Sequence, residues 1–161
     1  MTEEDIPTAE ECSAIETVAR YQFGLEPDVD FLPAESSLRV LRSRSGRVDR
    51  LYLEEERICT LTTAGRLTLG VAGARRLHAI TTPPAYRVSL EEEAIPFVKD
   101  GRNAFAKFVI GVDQRIRPRD EVLIVDVNDR LVAVGRAELA ATGMQAFERG
   151  MAASIRHGIT D

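Results

Sequence analysis

Phe97-Val98-Lys99-Asp100-Gly101-Arg102-Asn103-Ala104-Phe105-Ala106-Lys107-Phe108-Val109 decides the reading of this 161-residue chain. Gly101 predicts a turn in which a positive φ, or a close approach of the backbone, leaves no room for a side chain. Upstream, Glu92 to Lys99 predicts a short helix that tolerates Pro96 in its first turn, and Tyr86 to Leu90 a strand. Downstream, Ala106 to Val112, Glu121 to Val127 and Leu131 to Leu139 are rich in β-branched residues, with Asn128-Asp129 turning between the last two. Thr142 to Arg149 reads as a second short helix and Ala152 to His157 as a closing strand. The order β-α-β-β-β-α-β with short connections predicts a small mixed barrel, whose closure removes exposed strand edges.

Toward the N-terminus, Thr81-Thr82-Pro83-Pro84 stops a candidate helix over Val71 to Ala79 and predicts a boundary between domains 1–84 and 85–161. Thr8-Ala9-Glu10-Glu11 has the spacing of a capping box, and Cys12, Ile15, Val18, Ala19 and Gln22 follow at helical intervals until Gly24. Leu38 to Ser43, Val48 to Leu53, Ile58 to Leu61 and Leu67 to Leu69 are β-like runs separated by turn residues, which predicts an antiparallel meander. The fold class is α+β, an N-terminal α+β domain with an antiparallel sheet followed by the barrel.

The formal net charge of −5 is unevenly spread: residues 1–35 carry −9, 36–84 carry +5 and 85–161 carry −1. All basic residues but Lys99 and Lys107 are Arg. The planar guanidinium suits phosphates and bases, although genomic base composition produces the same bias. No run of eighteen apolar residues exists, and the opening Met1-Thr2-Glu3-Glu4-Asp5 is acidic where a signal peptide is basic, so a cytoplasmic protein away from membranes is expected. Cys12 and Cys59 have no second Cys or His at ligand spacing, so neither metal nor cofactor is expected.

Taken in order, the Gly101 turn, Arg117-Pro118-Arg119-Asp120-Glu121-Val122, Ala133-Val134-Gly135-Arg136 and Arg156-His157-Gly158 resemble a PUA domain over Tyr86 to Ile159. Gly101 to Val109 is also similar to the C-terminal end of archaeal tRNA-guanine transglycosylase, the family that inserts the archaeosine precursor into the tRNA D-arm. Tyr21-Gln22-Phe23-Gly24, Phe31-Leu32-Pro33, Arg42-Ser43-Arg44-Ser45-Gly46-Arg47, Tyr52-Leu53, Leu61 and Gly73-Ala74-Arg75-Arg76-Leu77 resemble the domain preceding PUA in that family. The enzyme's large barrel, catalytic aspartates and zinc ligands have no counterpart in 161 residues. The resemblance therefore implies a noncatalytic RNA-binding protein, with tRNA held by its acceptor stem or 3′ end. The alternative is an accessory subunit docked on a separate transglycosylase or archaeosine-forming enzyme. An independent enzyme is disfavoured, because no phosphate loop, Ser-His-Asp set or cofactor fingerprint is present.

By that resemblance, RNA enters a groove beside the Gly101 turn, with Lys99, Arg102 and Lys107 on phosphates and Asn103 on a base or sugar edge. Phe105 either stacks on a base or packs in the core with Phe108, three residues on. Arg136 and Arg156 border the groove or are plain exposed strand residues. Arg42, Arg44, Arg47 and Arg50 surround the Ser45-Gly46 turn and offer a second phosphate contact, unless Asp49 and Glu54 pair with them. Arg75-Arg76 suits a helix C-terminus, with RNA contact a secondary reading.

Overall fold

A computed structural model of the chain describes residues 5–34 and 37–160, so the acidic opening Met1 to Glu4 lies outside the described residues. The chain divides into two compact units, Met1–Ile80 and Thr81–Asp161.

In the first unit, α1 (Ala9–Phe23) begins at the expected capping box: Thr8 Oγ1 accepts from the Glu11 N–H, and Glu11 Oε1 accepts from the Thr8 N–H. Gly24 ends it in the left-handed region at φ 59°. Strands β1 (Leu38–Arg42), β2 (Val48–Leu53), β3 (Glu56–Leu61) and β4 (Leu67–Leu69) form an antiparallel sheet in chain order. Helix α2 (Val71–Ile80) follows and packs on β3. Ile15, Ala19 and Phe23 from α1 are buried, as are Val40, Leu51, Ile58 and Leu69 from the sheet and Leu77 from α2. Burying the Val, Leu, Ile and Phe side chains of this set stabilises by about 1.5–3 kcal/mol each. The outer edge of β4 is occupied by a side chain: Gln22 Nε2 donates to the Leu67 carbonyl at 2.9 Å and its Oε1 accepts from the Leu67 N–H at 2.7 Å. The amide thus mimics one residue of a neighbouring strand.

The hairpin turns are built alike. Ser43 N–H donates to the Arg47 carbonyl and Gly46 N–H to that of Ser43; Thr62 N–H donates to Arg66 and Gly65 N–H to Thr62. Ser43-Arg44-Ser45-Gly46-Arg47 and Thr62-Thr63-Ala64-Gly65-Arg66 are one motif used twice, each closing through a Gly at positive φ.

Arg42 departs from the expected surface role. Its guanidinium sits 2.8 Å from Asp5 and 2.6 Å from Glu11, tying β1 to the start of α1. Arg42 and the Thr8 N–H together hold the Glu11 carboxyl down from 4.5 to about 2. Because the folded-state value is depressed, this stabilisation is present above pH 4.5 and is lost as pH falls toward 2. An Arg42→Gln variant is expected to be less stable at pH 7 and to show a flatter loss of stability across that acid window. Urea melts at several pH values check this, and an unchanged pH profile would reject the linkage.

In the second unit, strands β5 (Arg87–Leu90), β6 (Ala104–Phe105), β7 (Val109–Val112), β8 (Glu121–Val125), β9 (Leu131–Ala137) and β10 (Met151–Gly158) form a mixed sheet. Its order is β6-β10-β9-β8-β5-β7, with β5 parallel to β8, and it curls into a nearly closed barrel. Helix α3 (Ile95–Lys99), preceded by a 3-10 turn over Glu92–Ala94, packs on β9 and β10, and α4 (Ala141–Ala146) packs on β7. Helix α4 is shorter than the expected Thr142 to Arg149, and the expected strand Ala106 to Val112 is broken by a 3-10 turn at Ala106–Phe108. Val88, Leu90, Val98, Ile124, Val132 and Met144 lie in its core. Arg87, 3% exposed, binds Asp129 at 3.0 Å and the Thr81 hydroxyl at 2.6 Å, joining the start of the unit to the β8–β9 turn.

Candidate nucleic-acid interface

The end of α3 builds the site. Both the Asp100 and the Arg102 N–H groups donate to the Phe97 carbonyl, while the Gly101 N–H donates to Val98. Gly101 adopts φ +91°, and a Cβ there would meet nothing within 4 Å, so backbone conformation rather than crowding requires glycine. This wrapping lays the Arg102 guanidinium against Phe97, 5.9 Å from the ring centroid. Ile95 and Val98 face the core, which turns Phe97 outward at 55% exposure.

Three contacts fix the next residues to β10. Asn103 Oδ1 accepts from the Ile155 N–H at 2.9 Å, β6 pairs with Met151 and Ala153, and Ala106 N–H donates to the Gly150 carbonyl. Between α3 and β6 lies an apolar cleft of about 150 Å³, flanked by Phe97, Arg102, Asn103, Phe105 and Phe108. Phe105 is 47% exposed, which decides against the core-packing one of its two readings, whereas Phe108 is half-buried against the core. The 3-10 turn at Ala106–Phe108 shifts the side-chain phase between them. Lys107 stands over the Phe108 ring at 4.9 Å and also lines a wider groove beyond the turn with Phe147 and Arg149. Phe147 is 55% exposed.

The structure gathers Gly101, Arg102, Asn103, Phe105 and Lys107 around one turn, with Lys99 exposed at the end of α3. The Asn103 carbonyl is committed to β10, which leaves its amide NH₂ for a ligand. Arg156 is committed otherwise: it binds the buried Glu121 carboxylate through both oxygens at 2.6 and 2.9 Å, an internal pair rather than a groove cation. Arg136 pairs with Glu138 at 3.2 Å and does not line the cleft. Ser154 and Arg136 together lower the Glu138 carboxyl below the usual range. Arg44 and Arg47 are exposed at the first hairpin turn. Arg50 lies 3.6 Å from Asp49, as one of the two readings had it, and Arg75 lies 3.3 Å from Glu56. Arg76 donates to the carbonyls of Asp30 and Phe31. Phe97, Phe147 and Arg149 are additional candidates. Phe97 was readable from the spacing of Ile95 and Val98, whereas nothing local marked Phe147. Among the described residues no group of three or more His, Cys, Asp or Glu could hold a metal ion, and no helix is long and apolar enough to cross a membrane.

Residues 86–159 match the PUA domain family, and residues 13–84 match the patch-forming domain C2 of tRNA-guanine transglycosylase. The chain is a C2 domain followed by a PUA domain. A tRNA-guanine(15) transglycosylase of Methanothermobacter thermautotrophicus is 41% identical to this C2–PUA chain over 153 residues, 94% of the chain and 23% of the relative. The corresponding protein of Pyrococcus abyssi is also 41% identical, over 89% of the chain and 24% of its own length. The C2–PUA chain thus spans about a quarter of these curated relatives. A PUA domain structure from Aeropyrum pernix K1 superimposes with a TM-score of 0.70 over 100% of the chain and 88% of that structure, at 18% identity.

Proposed function

We propose that the C2–PUA chain is a noncatalytic RNA-binding protein whose ligand is tRNA, held by its single-stranded 3′ end in the cleft beside Gly101. The observation carrying this reading is the pair of exposed rings, Phe97 and Phe105, flanking an apolar cleft lined also by Arg102, with Lys107 over the neighbouring Phe108 ring. Unpaired bases stack on such rings, and cations beside them meet the phosphates. In this reading Lys99, Arg102 and Lys107 contact the backbone, the Asn103 amide donates to a base or sugar acceptor, and the domain up to residue 84 sets orientation. In this reading, which the kinship to tRNA-guanine(15) transglycosylases supports, the chain serves the archaeosine pathway and presents tRNA to a catalytic subunit.

The test is binding of mature tRNA and of the same tRNA trimmed of its single-stranded 3′ end, at 50 and 200 mM salt. Trimming is expected to weaken binding at least tenfold. Three phosphate contacts on a single strand give a log–log salt slope of about −2, so the 3′-end contribution should fall about 20-fold between the two salts. Equal binding of both RNAs would reject the cleft as the site.

A further inference from the structure

We infer that the outer face of α1 is a self-association surface, on which a second copy of this chain lays its own α1 antiparallel, with Tyr21 of each copy seated against Ala14 of the other. The inference stands apart from the RNA reading. Helix α1 exposes Ser13, Ala14, Thr17 and Tyr21, with Val18 half-buried beside them. Positions 14, 17, 18 and 21 follow at intervals of three and four, so they form one stripe. A surface helix ordinarily turns its charged residues to water. In a chain of which 29% of the residues are charged, this stripe carries no charge along two turns. The two charged residues within its span are engaged elsewhere: Glu16 accepts from the Phe31 and Leu32 N–H groups, and Arg20 donates to the Val29 carbonyl. The Thr17 hydroxyl is spent within the helix, donating to the Ser13 carbonyl at 3.0 Å.

Tyr21 is 91% exposed and stands on one wall of an open cleft of about 780 Å³, with Thr17 and Val18 beside it and the turn from Ala64 to Arg66 opposite. The two Gln22–Leu67 hydrogen bonds hold these walls together, so the cleft is a fixed feature of the domain. The stripe is graded in size, from Ala14 at one end through Thr17 and Val18 to Tyr21 at the other. Parallel copies would set ring against ring and leave a gap between the two alanines. Antiparallel copies, related by a two-fold axis between Thr17 and Val18, bring the large end of each onto the small end of the other. Charge agrees with that register. It carries Glu10, exposed one turn before Ala14, past Tyr21 of the other copy to the end of the helix where Arg66 lines the cleft. An uncharged stripe ending in an exposed tyrosine is the composition of a protein interface centre, where charge is depleted and aromatic anchors carry most of the binding.

The experiment is sedimentation equilibrium of the full chain, freed of nucleic acid by nuclease, over a range of protein concentrations. One helix face is a small interface of the weak class, so the wild-type chain is expected to form a dimer with a Kd of about 10–100 μM. Tyr21→Ala should weaken it about 30-fold, and Ala14→Glu, which sets a carboxylate under the opposing ring, should leave a monomer. Both positions are exposed, and circular dichroism melts confirm folding. Cysteine cross-linking reads the direction. In a Cys12→Ser background, Thr17→Cys lies beside the two-fold axis and should join two copies by a disulfide on mild oxidation, whereas Ala14→Cys should do so only when mixed with Tyr21→Cys. Cross-linking by Ala14→Cys alone, or a dimer that Tyr21→Ala and Ala14→Glu leave intact, overturns the inference. So does a wild-type chain still monomeric at about 1 mM: the stripe then belongs to RNA if Tyr21→Ala weakens tRNA binding, and to a different protein if it does not.

Discussion

Replacing Phe97 and Phe105 together with Ala is expected to lower affinity for a tRNA 3′ end about 100-fold while leaving the melting temperature nearly unchanged. Base-on-ring stacking contributes about 1–3 kcal/mol per base, and two contacts near the lower end of that range amount to about two decades in Kd. The fold loses little, because both rings stand in solvent rather than in the barrel core. Phe108→Ala is the contrasting variant: that ring packs against the core and should cost stability as well as binding. Stacking carries no counterion release, so the double Phe variant should keep the wild-type salt slope, whereas Arg102→Gln/Lys107→Gln should flatten it. Fluorescence anisotropy at several salt concentrations, with thermal melts alongside, separates these effects. Wild-type affinity in the double Phe variant would remove the rings from the interface.

Arg156→Ala is expected to destabilise the PUA domain by about 3 kcal/mol, a fall in melting temperature of about 10–20 °C for a domain of this size. Glu121 is 4% exposed, and each of its oxygens accepts a hydrogen bond from the Arg156 guanidinium, at 2.6 and 2.9 Å. Removing the cation leaves a buried carboxylate without that compensation. Arg136→Ala provides the scale: its pair with Glu138 lies at the surface, and its loss should cost no more than about 0.5 kcal/mol. Replacing Arg156 and Glu121 together with Met and Leu should recover much of the loss, since apolar residues of similar volume remove the buried charge as well as its partner. Arg156→Ala with wild-type stability would reject the structural assignment.

The elements most legible in the sequence are those whose boundaries are local. Thr8, Glu11 and Gly24 mark α1 because capping is a matter of neighbouring residues. The meander was readable because each turn carries its own glycine. The division of Ala106 to Val112 was not, since it depends on β6 pairing with β10 and on the Ala106 bond to Gly150, far along the chain. The same break decides whether Phe105 or Phe108 faces the core, so two phenylalanines three apart could not be told apart in advance. Arginines failed for a related reason. Arg42 meets Glu11 and Asp5 across 31 and 37 residues, and Arg156 meets Glu121 across 35. Sequence shows that a cation is present, but not which carboxylate the fold places opposite it.

Strand β10 also sets when the cleft can exist. Asn103, Ala104 and Phe105 are held by Ile155, Ala153 and Met151, and Gly158 lies so close to Lys99 that an added Cβ would fall 1.8 Å from its carbonyl oxygen. During synthesis the Gly101 segment leaves the ribosome some fifty residues before the strand that braces it, while the C2 domain is already complete and able to fold. The C2 domain thus becomes available first, and the cleft assembles in one late step once residues 151–158 have emerged. A nascent chain stalled before Met151 would therefore present a folded C2 domain, but not a formed cleft.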